Sequence, residues 1–310
     1  MLMIMIQKSR NLVFAAVLSI ILLNSSFAGE KTALERKTLA PKTLRSMARV
    51  YMAYGDYAKA QPLAEQALAS AKTKATPDSE LCLCMIDLAY LYFNQNRLDE
   101  AEQLCITGLN LQEKIYTKDH PYVAYTLRTL GAIYRDQGKF AQARATINKA
   151  ITIMLACHPA DEPVMAPFKI DMAELAVAEG DFEKAENYYL QALDLIGSSY
   201  GKDHLYTANV LGGLAELYTT QGRFTEAEPL INHARAVQEI VYGSEHYLVA
   251  PAWLTTAKIC QAKGDYLEAE RLLHRAAAAV EKTGDMTASA KLQQRIEQIR
   301  GQKQIAYKQS

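Results

Sequence analysis

The chain has little of several features that would assign it to particular classes of protein. Its 34 Lys and Arg residues balance its 34 Asp and Glu residues, so the basic excess typical of nucleic-acid-binding proteins is missing. Only nine prolines and 15 glycines interrupt 310 residues, and charged residues make up 22% against 50% hydrophobic residues. These values exclude a disordered chain and, with abundant alanine, predict a mainly helical protein.

A long apolar run is also missing. The longest candidate, Leu12–Leu23, covers about 12 residues, whereas a membrane-spanning helix needs about 20. Lys8 and Arg10 precede this run, and Ser26-Phe27-Ala28 follows it. This order of basic, apolar and small residues is typical of a signal peptide. We therefore predict that residues 1–28 are cleaved off after Ala28, which leaves an exported protein, periplasmic or secreted, without a membrane segment.

The rest of the chain repeats with a period of 42 residues, apart from one interval of 41. A small residue recurs at Ala48, Ala89, Gly131, Ala173, Ala215 and Ala257, and a turn residue recurs at Gly55, Asn96, Gly138, Gly180, Gly222 and Gly264. Two further small positions follow in register, at Ala60, Ala101, Ala143, Ala185, Ala227 and Ala269 and at Ala67, Gly108, Ala150, Ala192, Ala234 and Ala276. The pattern predicts six copies of one structural unit.

Each unit is predicted to be two antiparallel helices joined by a turn. Apolar residues recur at helical spacing on both sides of the turn, as at Leu214 and Leu217 and then at Ala227 and Leu230. The turn glycine, or Asn96 in the second unit, suits the left-handed conformation that ends a helix. The alanines allow the two helix backbones to approach to about 8 Å.

The linkers between units carry an acidic residue just before the next helix. The examples are Lys118-Asp119-His120-Pro121, Lys202-Asp203-His204 and Ser244-Glu245-His246, with looser counterparts at Asp78-Ser79-Glu80 and Asp161-Glu162-Pro163. An acidic side chain can accept a backbone N–H there and interact favourably with the helix dipole. We expect Asp119, Asp203 and Glu245 to cap the helices that follow them, and Pro121 and Pro163 to lie in first turns.

These features resemble tetratricopeptide repeats of the 42-residue kind found in kinesin light chains. The resemblance covers roughly residues 41–281, and its hallmarks in the fifth unit are Leu214-Ala215, Tyr218, Gln221-Gly222, Phe224 and Glu226–Leu230. It implies an all-α, right-handed α-solenoid of about six helix-turn-helix repeats, with a concave groove that holds peptides or partner helices. The paired asparagines often found before Leu-Ala are replaced, here by Gly212-Gly213, so the known cargo preferences do not transfer.

The chain after the sixth unit is predicted to cap the solenoid. Leu292, Ile296 and Ile299 lie on one face of a helix over residues 286–299, which would cover the apolar end of the last repeat. Residues Gly301–Ser310 are expected to be loose. The predicted organisation is a signal peptide (1–28), an N-terminal leader (29–40), six repeats (41–281), and a capping helix with a loose tail (282–310).

The six histidines do not predict a metal or catalytic site. Three of them, His120, His204 and His246, occupy the same linker position in different repeats, so they cannot converge on one ion. No Ser, Cys or carboxylate stands at a spacing from any histidine that known catalytic motifs use. We predict a non-enzymatic protein without a metal or cofactor.

The cysteines are interpreted as packing residues. Their odd number, five, leaves at least one thiol outside any intramolecular disulfide, although export would permit disulfides. Cys84 and Cys105 are predicted on facing helices about one turn out of register, which disfavours a bond between them without deciding it. Cys105 and Cys260 stand where other repeats have Ile or Tyr, which favours small buried hydrophobic side chains.

The resemblance implies that the first helix of each pair lines the groove, at positions near the small alanine. The candidate partner-binding residues at these positions are Arg45, Arg49, Tyr90, Phe93, Arg128, Arg135, Asp171, Glu174 and Glu216. The arginines lie in the first three repeats and the acids in the fourth and fifth. This separation predicts a partner peptide with its acidic end toward the first three repeats and an apolar anchor near Tyr90 and Phe93.

The function expected from these features is that of a scaffold or adaptor. It would bind a peptide or protein in the concave groove. A second hypothesis is self-assembly through an edge or a weakly covered end of the solenoid, and a third is an enzyme regulatory subunit. Nucleic acid is not an expected partner.

Overall fold

The computed structural model describes residues 39–73, 79–283 and 286–309. The predicted signal peptide and nearly all of the predicted leader lie outside these residues. Thirteen α-helices and two short 3₁₀ helices make up the described part of the chain, which contains no β-strand. None of its helices is long and apolar enough to cross a membrane.

Twelve of the helices form six antiparallel pairs. They are α1 (Pro41–Ala53) with α2 (Tyr57–Lys72), α3 (Ser79–Asn94) with α4 (Leu98–Ile115), α5 (Pro121–Asp136) with α6 (Phe140–Cys157), α7 (Ala166–Glu179) with α8 (Phe182–Tyr200), α9 (Leu205–Thr220) with α10 (Phe224–Tyr242), and α11 (Ala250–Ala262) with α12 (Tyr266–Glu281). The 3₁₀ helices, Pro163–Met165 and Tyr247–Val249, precede α7 and α11. The predicted all-α repeat solenoid is confirmed.

The first helices of the pairs form the inner layer of the solenoid. Each of them contacts the first helix of the next repeat, from α1 with α3 to α9 with α11. Within the described residues, neighbouring second helices make no comparable contact with one another. The first helices therefore lie closer together, on the concave side, and the second helices form the outer layer.

The turn inside each repeat has the backbone conformation that the sequence predicts. All six predicted turn residues have positive φ, from 59° at Asn96 to 81° at Gly264. A residue with a Cβ is strained in this region, which explains why glycine occupies five of the six turns. The predicted left-handed helix ends are confirmed.

The three small positions of each repeat are all buried. Gly131 shows how close the two helices of a pair come, because a Cβ added there would lie 2.6 Å from Cγ1 of Ile147. Even alanine is therefore too large at this crossing in the third repeat. The predicted role of the small residues in close helix packing is confirmed.

The residue that caps the helix after three of the linkers is histidine, so the prediction of acidic caps there is wrong. Nδ1 of His120, His204 and His246 accepts the backbone N–H two residues further on, at 3.2 Å in each case. The cap position falls one residue after Asp119, Asp203 and Glu245, which places the imidazole at the helix end. Acidic caps occur instead after the turns, where Asp56, Asp181 and Asp265 accept the N–H at the start of the second helix.

The last helix, α13 (Met286–Gln309), is longer than expected. Its predicted apolar face is confirmed, since Leu292, Ile296 and Ile299 are buried against the sixth repeat. The expectation of a loose tail is wrong for residues 301–309, which continue the helix. Gln302 accepts a hydrogen bond from Gln261 at 2.9 Å, and Lys303 lies 3.3 Å from Glu270. These polar contacts connect residues 302 and 303 to α11 and α12.

Of the two cysteines predicted to be buried packing residues, Cys105 is buried and Cys260 is only half-buried. Cys82, Cys84 and Cys105 are buried in the second repeat, whereas Cys260 is half-buried and Cys157 is exposed. Burial raises the pKa of the Cys105 thiol to about 12. Cys105 is therefore a small, uncharged packing residue, as predicted.

Candidate functional site

Two adjoining cavities lie on the inner side of the solenoid. The larger, of about 530 Å³, has a wall formed by Tyr125, Arg128, Ile170, Tyr200, Tyr206 and Asn209. The smaller, of about 290 Å³, is lined by Gly212, Glu216, Gln238, Tyr242 and Thr255. Glu174 and Asn209 line both, so the two cavities share a wall and together extend across repeats three to six.

A further cavity lies on the outer side of the first two repeats. It measures about 580 Å³ and lies between α2 and α4. Its floor is apolar, with Leu68, Leu88 and Leu104, and acidic side chains stand at its rim. Its lining comes from α2, α3 and α4, and it shares no lining residue with the two cavities of the inner side.

The nine predicted site residues differ in their exposure. Arg49, Tyr90 and Glu216 are exposed, with Tyr90 at 49%. Phe93 is half-buried and packs against the core of the first repeats. The half-buried group also contains Arg45, Arg128, Arg135 and Glu174, whereas Asp171 is buried.

Arg45 joins the first repeat to the second. Its Nε lies 2.8 Å from Oε1 of Glu80, and its Nη1 lies 3.3 Å from Oδ2 of Asp87. Only 12% of the side chain is exposed. Both contacts lie within the protein, so the Arg45 guanidinium connects the first repeat to the second.

The same arrangement recurs between the third and fourth repeats. Arg128 and Asp171 occupy positions equivalent to Arg45 and Asp87, and Nε of Arg128 lies 2.6 Å from Oδ2 of Asp171. This buried Oδ2 accepts no well-directed hydrogen bond. Burial raises the pKa of the Asp171 carboxyl to about 7, and the opposing effect of Arg128 is smaller. The carboxyl is therefore partly protonated at neutral pH.

Three more ion pairs involve predicted site residues, and one of them joins a predicted base to a predicted acid. Arg135 bonds to Glu174 of the next repeat and to Asp136 beside it. Glu216 lies 3.4 Å from Lys258 of the sixth repeat. The expected separation into a basic half and an acidic half is therefore corrected, because the 42-residue repeat places opposite charges of neighbouring first helices side by side. The role of these residues in binding a partner stays a prediction.

The sequence prediction missed Gln238, which comes from a second helix. Its Nε2 donates to Oδ1 of Asn209 at 3.1 Å, whereas its buried Oε1 has no donor. The equivalent Gln112, three repeats earlier, accepts a hydrogen bond from Thr126 at 2.8 Å. Ala252 stands in the sixth repeat where Thr126 stands in the third. A comparison of these four positions in the sequence could have found the missing donor.

The helix pairs, the inner layer and the 42-residue period match a known family. A family model described as tetratricopeptide repeat matches residues 80–156, 166–239 and 213–282, and a second tetratricopeptide repeat model matches residues 43–78. The chain belongs to the tetratricopeptide repeat family. Tetratricopeptide repeats are typically non-catalytic scaffolds for protein–protein interaction. No curated protein matches the chain.

Solved structures show the same fold at low sequence identity. The apo form of RapI has a TM-score of 0.63 at 12% identity, over 86% of this chain and 92% of that one. A Rap protein in complex with competence and sporulation factor has a TM-score of 0.62 at 13% identity, over 90% and 78% of the two chains. The kinesin-light-chain-like repeats of Podosopora anserina have a TM-score of 0.50 at 21% identity, over 64% and 94%. The predicted resemblance to kinesin-light-chain-like repeats is confirmed.

Proposed function

We propose that this tetratricopeptide repeat protein is a non-enzymatic scaffold or adaptor that binds a peptide or a segment of a partner protein in its groove. The observation that carries the proposal is the pair of adjoining cavities on the inner layer. Tyr206, which is 56% exposed, and Tyr125 form part of the wall of the larger cavity. Exposed aromatic rings beside a groove offer large apolar area together with a polar hydroxyl, a combination that suits peptide recognition.

The ion pairs change how a partner would be bound. Arg45 and Arg135 are occupied by acids of neighbouring repeats, so they contribute little to the capture of an acidic peptide. Arg49 is exposed, and 38% of the Arg128 side chain is exposed beside the larger cavity. Exposed charge pairs contribute about 0–1 kcal/mol each, so apolar burial must supply most of the affinity. The charges at Arg49 and Arg128 would then mainly guide association.

A partner isolated from the native compartment allows this proposal to be tested by kinetics. Tyr206→Ala and Tyr90→Ala should each raise the dissociation rate by about tenfold, the usual effect of removing an aromatic anchor. Arg49→Glu should lower the association rate and its salt dependence. Leu190→Ala is the control, because Leu190 is an exposed residue of the outer helix α8. If only the control changes binding, the groove is not the site.

The proposal includes export to the periplasm or the extracellular space. It is supported by the order of Lys8 and Arg10, the apolar run Leu12–Leu23 and the small residues before Gly29. N-terminal sequencing of the protein from its native host should find Gly29 as the first residue. A mature protein that retains residues 1–28 would contradict a cleaved signal peptide.

A further inference from the structure

One contact joins parts of the solenoid that lie almost five repeats apart. The hydroxyl of Tyr247, in the linker between repeats five and six, donates to the carbonyl oxygen of Met52 at 3.2 Å. Nε2 of His246 lies 3.0 Å from the carbonyl oxygen of Ala53. Because Nδ1 of His246 accepts the N–H of Leu248, the ring proton is on Nε2, which donates to Ala53. The linker thus binds the carbonyl end of α1.

Aromatic rings extend the contact around the turn of the first repeat. Tyr247 packs edge-on against Tyr57, with ring centroids 5.8 Å apart. Tyr54 approaches His246 at 6.5 Å. A Cβ added to Gly55 would lie only 2.3 Å from Cδ1 of Tyr247, so this turn leaves no room for a side chain. We call the contact of residues 52–57 with His246 and Tyr247 the clasp.

The clasp is the main connection between the first repeat and the end of the solenoid. The helices of repeat one make no substantial contact with those of repeat six in the described residues. In a repeat solenoid each unit is held mainly by its neighbours, so small rotations at successive interfaces add up to a large change in curvature. The clasp can therefore open without unfolding any single repeat.

We propose that the clasp holds one turn of the solenoid closed, and that its reversible opening widens the groove and admits the partner segment. The part that concerns the partner rests on the proposed function, whereas the closure itself does not. The clasp and the groove meet in the same linker, because Leu248 next to Tyr247 lines the smaller cavity. A change at the clasp therefore reaches the groove directly.

A matched pair of glycine variants distinguishes the effect of disturbing the clasp from the effect of backbone strain in a turn. Gly55→Ala and Gly138→Ala place the same side chain at nearly the same φ, 73° and 72°. Only the first one meets Tyr247, since no described atom lies within 4 Å of a Cβ at Gly138. Small-angle X-ray scattering should show a larger radius of gyration for Gly55→Ala than for Gly138→Ala. Circular dichroism should show the same helix content in both.

A second matched pair tests the hydrogen bond of the clasp. His246→Ala and His204→Ala remove the same side-chain hydrogen bond at the start of a 3₁₀ helix and of an α-helix, because both histidines accept an N–H at 3.2 Å. Only His246 also reaches Ala53. The radius of gyration should increase for His246→Ala and stay at the wild-type value for His204→Ala.

Equal radii of gyration for Gly55→Ala, His246→Ala and the wild type would overturn the clasp. An equal increase in the radius of gyration for both variants of each matched pair would also overturn the clasp. The loss of a turn or a cap alone would then explain the expansion. If Gly55→Ala and His246→Ala expand but bind the isolated partner at the wild-type association rate, the gating role is wrong. By contrast, wild-type binding by Tyr206→Ala and Tyr90→Ala would overturn the proposed groove while leaving the clasp intact.

Discussion

Replacement of Asp171 by asparagine should stabilise the protein at neutral and alkaline pH. The carboxyl side chain is only 8% exposed, and burial raises its pKa from 3.8 to about 7. A difference of about three pH units corresponds to an energetic cost of about 4 kcal/mol when the group is ionised in the fold. The uncharged amide of the Asp171→Asn variant would avoid this cost, although Arg128 would lose its ionic partner. We expect a net gain of about 1–3 kcal/mol at pH 8.

The sign of the pH dependence follows from the raised pKa. Between pH 4 and pH 7 the folded state holds a proton on Asp171 that the unfolded state releases, so rising pH lowers the free energy of unfolding. In Asp171→Asn this contribution is missing. The variant and the wild type should therefore have similar stability near pH 4 and differ increasingly toward pH 8.

Urea denaturation at pH 4.5, 6 and 8 measures this difference directly. Asp87→Asn is a matched control, because Asp87 holds the equivalent position but is bonded by Arg45 and is 18% exposed. Burial raises the pKa of Asp87 as well, so the same direction with a smaller change is expected. The reasoning is refuted if the stability of Asp171→Asn follows that of the wild type at all three pH values, or if the variant is less stable at pH 8.

Three further predictions concern local structure and can be checked by the same denaturation method. Gly138→Val should cost about 1–2 kcal/mol, since a β-branched residue is strained at φ 72°, and an unchanged midpoint would contradict a left-handed helix end. His120→Ala should cost about 0.5–2 kcal/mol through its lost cap, and equal loss in Asp119→Ala would show that the acid caps after all. Ala252→Thr should add about 1 kcal/mol by giving Gln238 a donor, whereas destabilisation would mean that the hydroxyl does not fit.

The repeat architecture could be predicted because the residues that the turn and the helix crossing require recur in each of the six repeats. A single Gly180 or Ala173 would have many explanations. Their recurrence at 42-residue intervals leaves a turn and a helix crossing as the physical reasons, and both residues have the predicted conformation or burial. Local rules of helix formation were therefore sufficient for the helix pairs, whereas the inner position of the first helices was implied by the resemblance to tetratricopeptide repeats.

The pairing of the charges in the groove becomes visible only when positions in neighbouring repeats are compared with one another. Arg45 and Asp87 are 42 residues apart, and Arg128 and Asp171 are 43 apart, so each pair faces across one repeat interface. This spacing is present in the sequence. It would have indicated that basic and acidic side chains neutralise each other across the repeat interfaces, instead of forming a basic half and an acidic half of the groove. The histidine caps were missed for a different reason, because a shift of one residue decides which side chain reaches the helix end.

The clasp has no signal in the sequence. The contact between Ala53 and His246 spans 193 residues, and it depends on how much the solenoid curves over five repeats. Small differences in helix crossing at every interface add up to this curvature, and no single residue pattern determines it. The contacts of Gln302 and Lys303 with α11 and α12 likewise lie outside the repeat pattern.

The groove as a binding site is tested most directly by site-specific photo-crosslinking in the native compartment. A photoreactive amino acid would replace Tyr90, Tyr206 or, as the outer control, Leu190. The proposed function predicts a covalent adduct with one partner from Tyr90 and Tyr206, and none from Leu190. An adduct formed only from Leu190 would place the partner on the outer helices and contradict the groove.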